Sequence, residues 1–489
     1  MILNIKGIDK KYFVIAILLL IFNVTFVTSL PTMAIMSYFQ FFILIFLLLF
    51  KETKSFLSYF ILFSATSFEV AEFVDIDLEY LYSITNLPYL GFSAYFILLI
   101  VAIYILIKNN RFRIESQIDK NYKLILFFSI YIIISGCLGA LICYIFNDND
   151  LPSEVFFKFF KQDLAVYVGT SLFIIFSILH LIYYPELADY FKFRIFTLLV
   201  SLVVVTVISV LFRFSGTYGS HDIILMPLTS FYSITILLFA FRKDLYSRKL
   251  VFILFLVSLF FQFTFSTALG GKSWVLLSLL MLLVMIIFYK NGNKFTLVVW
   301  IILMVSLVIV AVTSILPMLM ITSDDNLITS KALEAFSLFD FTSGDYLSNI
   351  PDSPKNRIDE FVNIFIEYTN KSTFSIFGKG FGGTTRDHEN LFGSFLASYY
   401  TDDEYLYNAF NFMHESINNT FLKFGFVGLF LFMMILYRIL KSKDMNPFLA
   451  IGFVWLVFFY GYTNSLATFG ISALLLGFSK YNENDSLVE

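Results

Sequence analysis

FMHESINNTFLKFGFVGLFLF, residues 412–432, sets the frame for the whole chain. A polar head containing His414, Glu415, Asn418, Asn419 and Lys423 passes directly into an apolar run. Such a run, continued to about residue 437, is long enough to cross ~30 Å of hydrocarbon. On a helix, 100° per residue places His414, Asn418, Gly425 and Gly428 on one stripe, and the two glycines let a neighbouring segment come close. A titratable imidazole is thus expected at the mouth of a membrane span.

The same apolar pattern recurs along the chain. Of 489 residues, 59% are hydrophobic, 64 are Phe and 29 are Tyr, while only 14% are charged. Soluble domains hold roughly 45–50% apolar residues, so the composition excludes an ordinary soluble globular protein. Apolar runs predict about fourteen spans, near 12–30, 33–50, 55–73, 86–107, 124–146, 164–184, 195–212, 223–241, 250–269, 274–289, 295–320, 415–437, 448–463 and 465–479. The first has no A-x-A-like cleavage site and reads as a retained helix rather than a removed signal peptide. Cys137 and Cys143 fall inside one predicted span, so neither a disulfide framework nor a zinc site is indicated.

Basic residues orient these spans, because Lys and Arg near span ends stay cytoplasmic. With the N-terminus inside, 21 basic residues fall in cytoplasmic segments, among them Lys108, Lys120, Lys123, Arg194, Arg438 and Lys441. The short outer loops hold only Lys158, Lys161, Arg213 and Lys272. The expected organisation is a membrane part over 1–320, a large extracytoplasmic loop over 321–413, further spans over 414–479 and a cytoplasmic tail over 480–489. The loop contains NRIDEFVNIFIEY (356–368), a helix with Ile358, Phe361, Val362 and Phe365 on one stripe. It is expected to fold and to cover the membrane domain.

Several outer-face residues could hold an anion. Arg213 opens RFSGTYGSHD, Lys272 sits in ALGGKSW, and Arg357 starts the loop helix. Three cations near a histidine suit phosphate or diphosphate, to which Arg and Lys give charge-assisted bonds; singly, each is as well explained by snorkelling to headgroups. GKS is not a P-loop, since Ser266 stands where the motif needs glycine and no strand precedes it. GKGFGG (378–383), with Gly380 at its centre, reads as a turn in preference to a backbone cradle for a ligand. SYYTDDEYLYNAFNF (398–412) combines tyrosines, Tyr405 among them, with Asp402, Asp403 and Glu404, a mixture suited to sugars and equally to a membrane interface. Asp75 and Asp77 form a D-x-D pair that could hold a divalent cation, a pattern cheap by chance.

Together these elements resemble the O-antigen ligase and polymerase superfamily of bacterial membrane glycosyltransferases. His414 is followed by Gly425, Gly428 and Leu429 at that family's spacing, with Glu415 where Asn or Ser is usual. RFSGTYGSHD resembles its R-x-S-G-x-F-x-x-P-N element, with His221 and Asp222 in place of Pro and Asn. FSTALGGKSW resembles its S-R-x-A/G element with Lys272 for Arg, and Arg357 resembles its loop arginine. The matches run in order over roughly 195–440.

The resemblance implies an all-α, GT-C-like polytopic protein of the bacterial inner membrane, with its active site outside and both termini in the cytoplasm. It implies transfer of a glycan from undecaprenyl diphosphate to an acceptor hydroxyl, with inversion and without metal, nucleotide or other cofactor. His414, Arg357 and Lys272 would be catalytic, and Arg213, His221, Asn418, Glu415, Tyr405 and Gly380 would bind substrate. Expected partners are lipid-linked donor and acceptor, the bilayer and a chain-length regulator protein, with no nucleic acid. Repeat-unit polymerase is preferred over ligase acting on lipid A-core, the two sharing these elements. A lipid-linked glycan flippase built on Glu69 and Glu72 is the alternative of a different class.

Overall fold

The computed structural model describes residues 9–26, 29–50, 53–66, 83–85, 87–110, 118–146, 151–212, 352–388, 400–413, 415–442, 446–461 and 464–479. Among these the chain is helical, without strands. The helices are α1 (Lys10–Phe26), α2 (Leu30–Phe50), α3 (Thr53–Thr66), α4 (Ser93–Asn109), α5 (Lys120–Phe146), α6 (Ser153–Asp163), α7 (Gly169–Tyr183) and α8 (Leu187–Phe212). After the segment outside the described residues come α9 (Asp352–Asn370), α10 (Ser372–Phe377), α11 (Asp402–Tyr407), α12 (Ser416–Lys441), α13 (Pro447–Phe459) and α14 (Asn464–Phe478). The predicted spans at 223–241, 250–269, 274–289 and 295–320 lie outside the described residues.

Pro31–Phe50, Lys120–Phe146, Ser153–Tyr183 and Ser416–Lys441 are long and apolar enough to cross a membrane. Their outward sides carry exposed Phe39, Phe42, Phe127, Ile134 and Phe430, which water would penalise and lipid accepts. The protein is membrane-embedded. Arg194 pairs with Asp9 at 2.9 Å and lies over the rings of Tyr12 and Tyr190. Lys54 lies over Tyr190 as well, so the starts of α1, α3 and α8 share one end of the bundle. The charge rule expects the N-terminus and Arg194 on one side of the membrane, and here Asp9 and Arg194 meet.

Three boundaries differ from expectation, the simplest being α8, which starts at Leu187 and not at 195. The span expected from 164 is preceded without interruption by α6, and Leu164–Val168 forms a π-helical turn between α6 and α7. A π-turn inserts an extra residue into the helical register and is frequent at functional sites. The span expected from 86 begins as a helix only at Ser93, after a tight turn in which Leu87 and Gly91 exchange backbone hydrogen bonds.

The helices pack through aromatic side chains. Phe60 stacks on Tyr95 and on Phe173, at 5.6 and 5.3 Å, fastening α3 to α4 and α7. Tyr167, in the π-turn, stacks on Phe381 at 6.1 Å and meets Phe424 and Tyr460 edge-on at 5.0 and 5.8 Å. That second cluster joins four distant parts of the sequence.

One of those parts is GKGFGG, which does turn, with the Gly383 amide donating to Gly380 O, but is buried. Residues 378–385 are all buried, wedged between α5 and α12. The amides of Lys379 and Gly380 donate to Leu422 O and Lys423 O, and that of Phe381 donates to Gly136 O. The expected covering loop therefore enters the bundle. Gly380 holds a φ of +74°, and a Cβ there would fall on the backbone of Gly136 and Ala140. Only glycine meets both demands.

Gly380→Ala should therefore combine a left-handed backbone cost of about 1–2 kcal/mol with an overpacking cost of about 1–3 kcal/mol. Gly91→Ala, at φ +54° with nothing within 4 Å, should show only the first cost. Thermal denaturation of the detergent-solubilised protein compares them, and equal losses would contradict this packing.

Candidate functional site

The site begins with an interruption in α12. Gly425 has φ +63° and ψ −162°, values no α-helix contains. The carbonyls of residues 422–424, whose hydrogen-bonded turns span Gly425, are thereby turned away from the regular ladder. Each finds another donor. The Tyr368 hydroxyl serves Phe421 O and Leu422 O, the Lys379 and Gly380 amides serve Leu422 O and Lys423 O, and the Tyr131 hydroxyl serves Phe424 O. Non-helical backbone inside a membrane domain persists only where protein supplies such partners.

The broken helix also buries a charge. Lys423 is wholly enclosed, and its Nζ meets Asp163 Oδ2 at 2.5 Å, Gly383 O at 2.7 Å and Asn411 Oδ1. Asp163, last residue of α6 before the π-turn, also accepts from the Gly382 amide at 2.7 Å. A second buried pair, Lys379 with Glu367, holds the other side of the same strap, and Glu367 also accepts from the Arg386 amide at 3.2 Å. Sequence reading missed both pairs. Asp163 lies one residue before the predicted span, and Lys423 merged with the polar head, yet an ionisable residue beside or within a span is itself a functional signal.

Helix α9 faces this seam with its polar side. Asn356, Asp359, Glu360, Asn363 and Glu367 are buried, whereas Ile358, Phe361, Val362 and Phe365 are exposed. The predicted stripe exists, but it points outward. Glu360 accepts from the Tyr400 hydroxyl and from Asn418 Nδ2, both at 2.9 Å, and Asn418 Nδ2 also reaches Arg357 O at 2.9 Å. Asn363 accepts from the His388 amide and donates to Asp387. Burial and the neighbouring Glu360 carboxylate push the Tyr400 hydroxyl well above the usual phenol range, keeping it protonated as a donor.

The segment before α12 is equally fixed. Thr401 and Glu404 form a capping box on α11, and Glu404 accepts from the Asn411 and Phe412 amides at 2.8 and 3.2 Å. Burial raises the Glu404 carboxyl above its ordinary range, against these hydrogen bonds, which lower it. Asn419 clasps Met413, accepting from its amide at 2.9 Å and donating to its carbonyl at 2.6 Å. Tyr405 packs edge-on against Tyr400 and Phe410, and burial together with Glu404 pushes its hydroxyl up to about 12.

The expected site residues are placed as follows. Arg357 Nε lies 2.5 Å from Glu415 Oε1, and both side chains are about one-fifth exposed. Glu415 is the N-cap of α12 and Gly425 interrupts the helix, so Asn418 and Gly428 stand on separate helical segments and not on one continuous stripe. Gly425 does permit a close approach, of the C-terminal end of α10 at Ile376 and of the Gly378 backbone that follows it. Ser416 Oγ is buried with no hydrogen-bond partner among the described residues. Gly380 donates its amide to Lys423 O. His414, Lys272, Arg213 and His221 lie outside the described residues, as do Glu69, Glu72, Asp75 and Asp77.

No family model, curated protein or solved structure matches the chain. The reading of the site rests on its own residues.

Removing one partner of a fully buried pair typically costs about 3–5 kcal/mol. Asp163→Asn, which keeps the shape but strands the Lys423 charge, should lose an amount of that order in thermal denaturation. Adding Lys423→Met should recover part of it; a double variant as unstable as the summed singles would contradict direct coupling.

Proposed function

We propose that the protein transfers glycan between lipid-linked substrates on the outer face of a bacterial cytoplasmic membrane, as a repeat-unit polymerase. In this reading the chain crosses the bilayer about fourteen times with both termini inside. The acceptor hydroxyl attacks the anomeric carbon, the bond to undecaprenyl diphosphate breaks with inversion, and the hydroxyl proton passes to His414. Cations receive the charge that develops on the departing diphosphate.

The observation that carries this reading is the contact between Arg357 and Glu415. Helix α9 delivers the guanidinium to the residue directly after His414, at the N-terminal end of α12. A helix N-terminus favours anions, and an arginine fork matches phosphate oxygens. Buried Ser416 Oγ, without a described partner, adds a polar group beside the same position. Glu415 then acts as the internal counter-anion of Arg357, a place that a diphosphate oxygen takes over when substrate arrives. Lys272 and Arg213 complete the cationic set in this proposal.

Turnover by purified protein with a defined lipid-linked repeat is the direct test. His414→Ala should lower kcat by about 10²- to 10⁴-fold, the usual range for general-base assistance. Arg357→Ala should lower kcat/KM by about 10²- to 10³-fold, and Arg357→Lys should recover it only in part because the fork is lost. Activity should survive EDTA and require no ion gradient. Wild-type chain lengths from His414→Ala would overturn the catalytic assignment. In cells, loss of polymer with a single capped unit retained marks a polymerase, whereas loss of both marks a ligase.

A further inference from the structure

The outward apolar stripe of α9 has no counterpart in a water-facing domain. Ile358, Phe361, Val362 and Phe365 are 37–48% exposed, and Ile376 and Phe377 on α10 are 51% and 58% exposed. Lys355 and Lys371, both exposed, flank the α9 part of this stripe, with Lys371 between it and Ile376 of α10. Charged ends, an apolar outer middle and a polar buried back describe a helix with hydrocarbon on its outer side.

Depth can be measured along two independent helices. Gly136 and Gly139, which touch the GKGFGG strap, stand 13 and 16 residues beyond Lys123 on α5. At roughly 1.5 Å per residue, that is about 20 and 24 Å from the basic end. Gly425, against which Gly378 and Ile376 pack, stands 13 residues from Arg438 on α12, again about 20 Å. Pairs such as Phe128 with Phe432 and Tyr131 with Phe424 show that the two helices run antiparallel, with their basic ends together. Both rulers put the strap inside a hydrocarbon layer ~30 Å thick, in its half farther from the basic end.

The outer surface is continuous at that depth. Phe361 stacks on Phe421 at 5.3 Å and Phe421 meets Phe426 at 4.9 Å, linking α9 to the exposed Phe426, Phe430 and Met433 of the α12 span. We infer that α9, α10 and the strap form a re-entrant element sunk in the outer leaflet, with lipid acyl chains against Ile358, Phe361, Val362, Phe365, Ile376 and Phe377. The polar seam behind α9 is then separated from lipid by the thickness of one helix. Buried Glu360, Asn363 and Glu367 line its inner side, so a headgroup at the seam and its tail in the bilayer need be only one helix width apart. This inference depends on membrane embedding and not on the proposed reaction.

Nitroxide labels test it in phosphatidylethanolamine/phosphatidylglycerol nanodiscs. Single cysteines replace Val362, Phe365 and Ile376 in a Cys137→Ser background, with the buried Cys143 alone as the unlabelled control. Phe430→Cys reports lipid and Asp402→Cys reports water. Labels at 362, 365 and 376 should match the oxygen accessibility of 430 and be several-fold less accessible than 402 to a water-soluble nickel chelate. Accessibility to the chelate would overturn the inference, and so would inaccessibility to both reagents, which means that protein covers the stripe. Acyl-chain diazirine lipids give the same test on the unsubstituted protein: label on peptides spanning 358–377 supports the inference, and its absence when 426–433 is labelled refutes it.

Discussion

An unpaired backbone carbonyl in hydrocarbon costs several kcal/mol, and the break at Gly425 puts three of them, those of residues 422–424, in need of a new donor. Much of the surrounding architecture answers that demand. Tyr131 comes from α5, Tyr368 from α9, and the strap brings the amides of Lys379 and Gly380. The strap is in turn held by ion pairs on either side, Lys379 with Glu367 and Lys423 with Asp163. Helix α12 could not be broken without the strap, and the strap could not be buried without the break.

This interdependence fixes the ground around His414. Asn419 clasps Met413, Glu404 holds the amides of Asn411 and Phe412, and Glu415 is tied to Arg357. Asn411 also meets Lys423, so the chain leading to the histidine is anchored to Asp163 through a single buried ammonium. Such a network rigidifies the segment, because each buried polar group has its partner inside the protein.

The helices were legible where composition alone decides. Spans such as 124–146 and 415–437 follow from the transfer of apolar residues, which does not depend on their neighbours, and α5 and α12 cover them. GKGFGG was not legible, since its reason for being glycine lies in Gly136 and Gly139, some 240 residues earlier, and in the break at Gly425. Helix α9 was legible as a helix with an apolar stripe, but the stripe faces outward. Periodicity finds the stripe; the solvent on each side decides which way it turns. The stripe from Asn418 to Gly428 is interrupted for a related reason, since helical periodicity does not see the kink at Gly425.

An experimental structure in a lipid nanodisc with a non-reactive lipid diphosphate tests the central claim most directly. The account predicts α12 interrupted at Gly425, Gly378–Gly383 packed against it below the headgroup level, and the diphosphate beside Arg357 and His414. A continuous α12 with the glycine strap outside the bilayer, or a diphosphate bound far from Arg357, would contradict it.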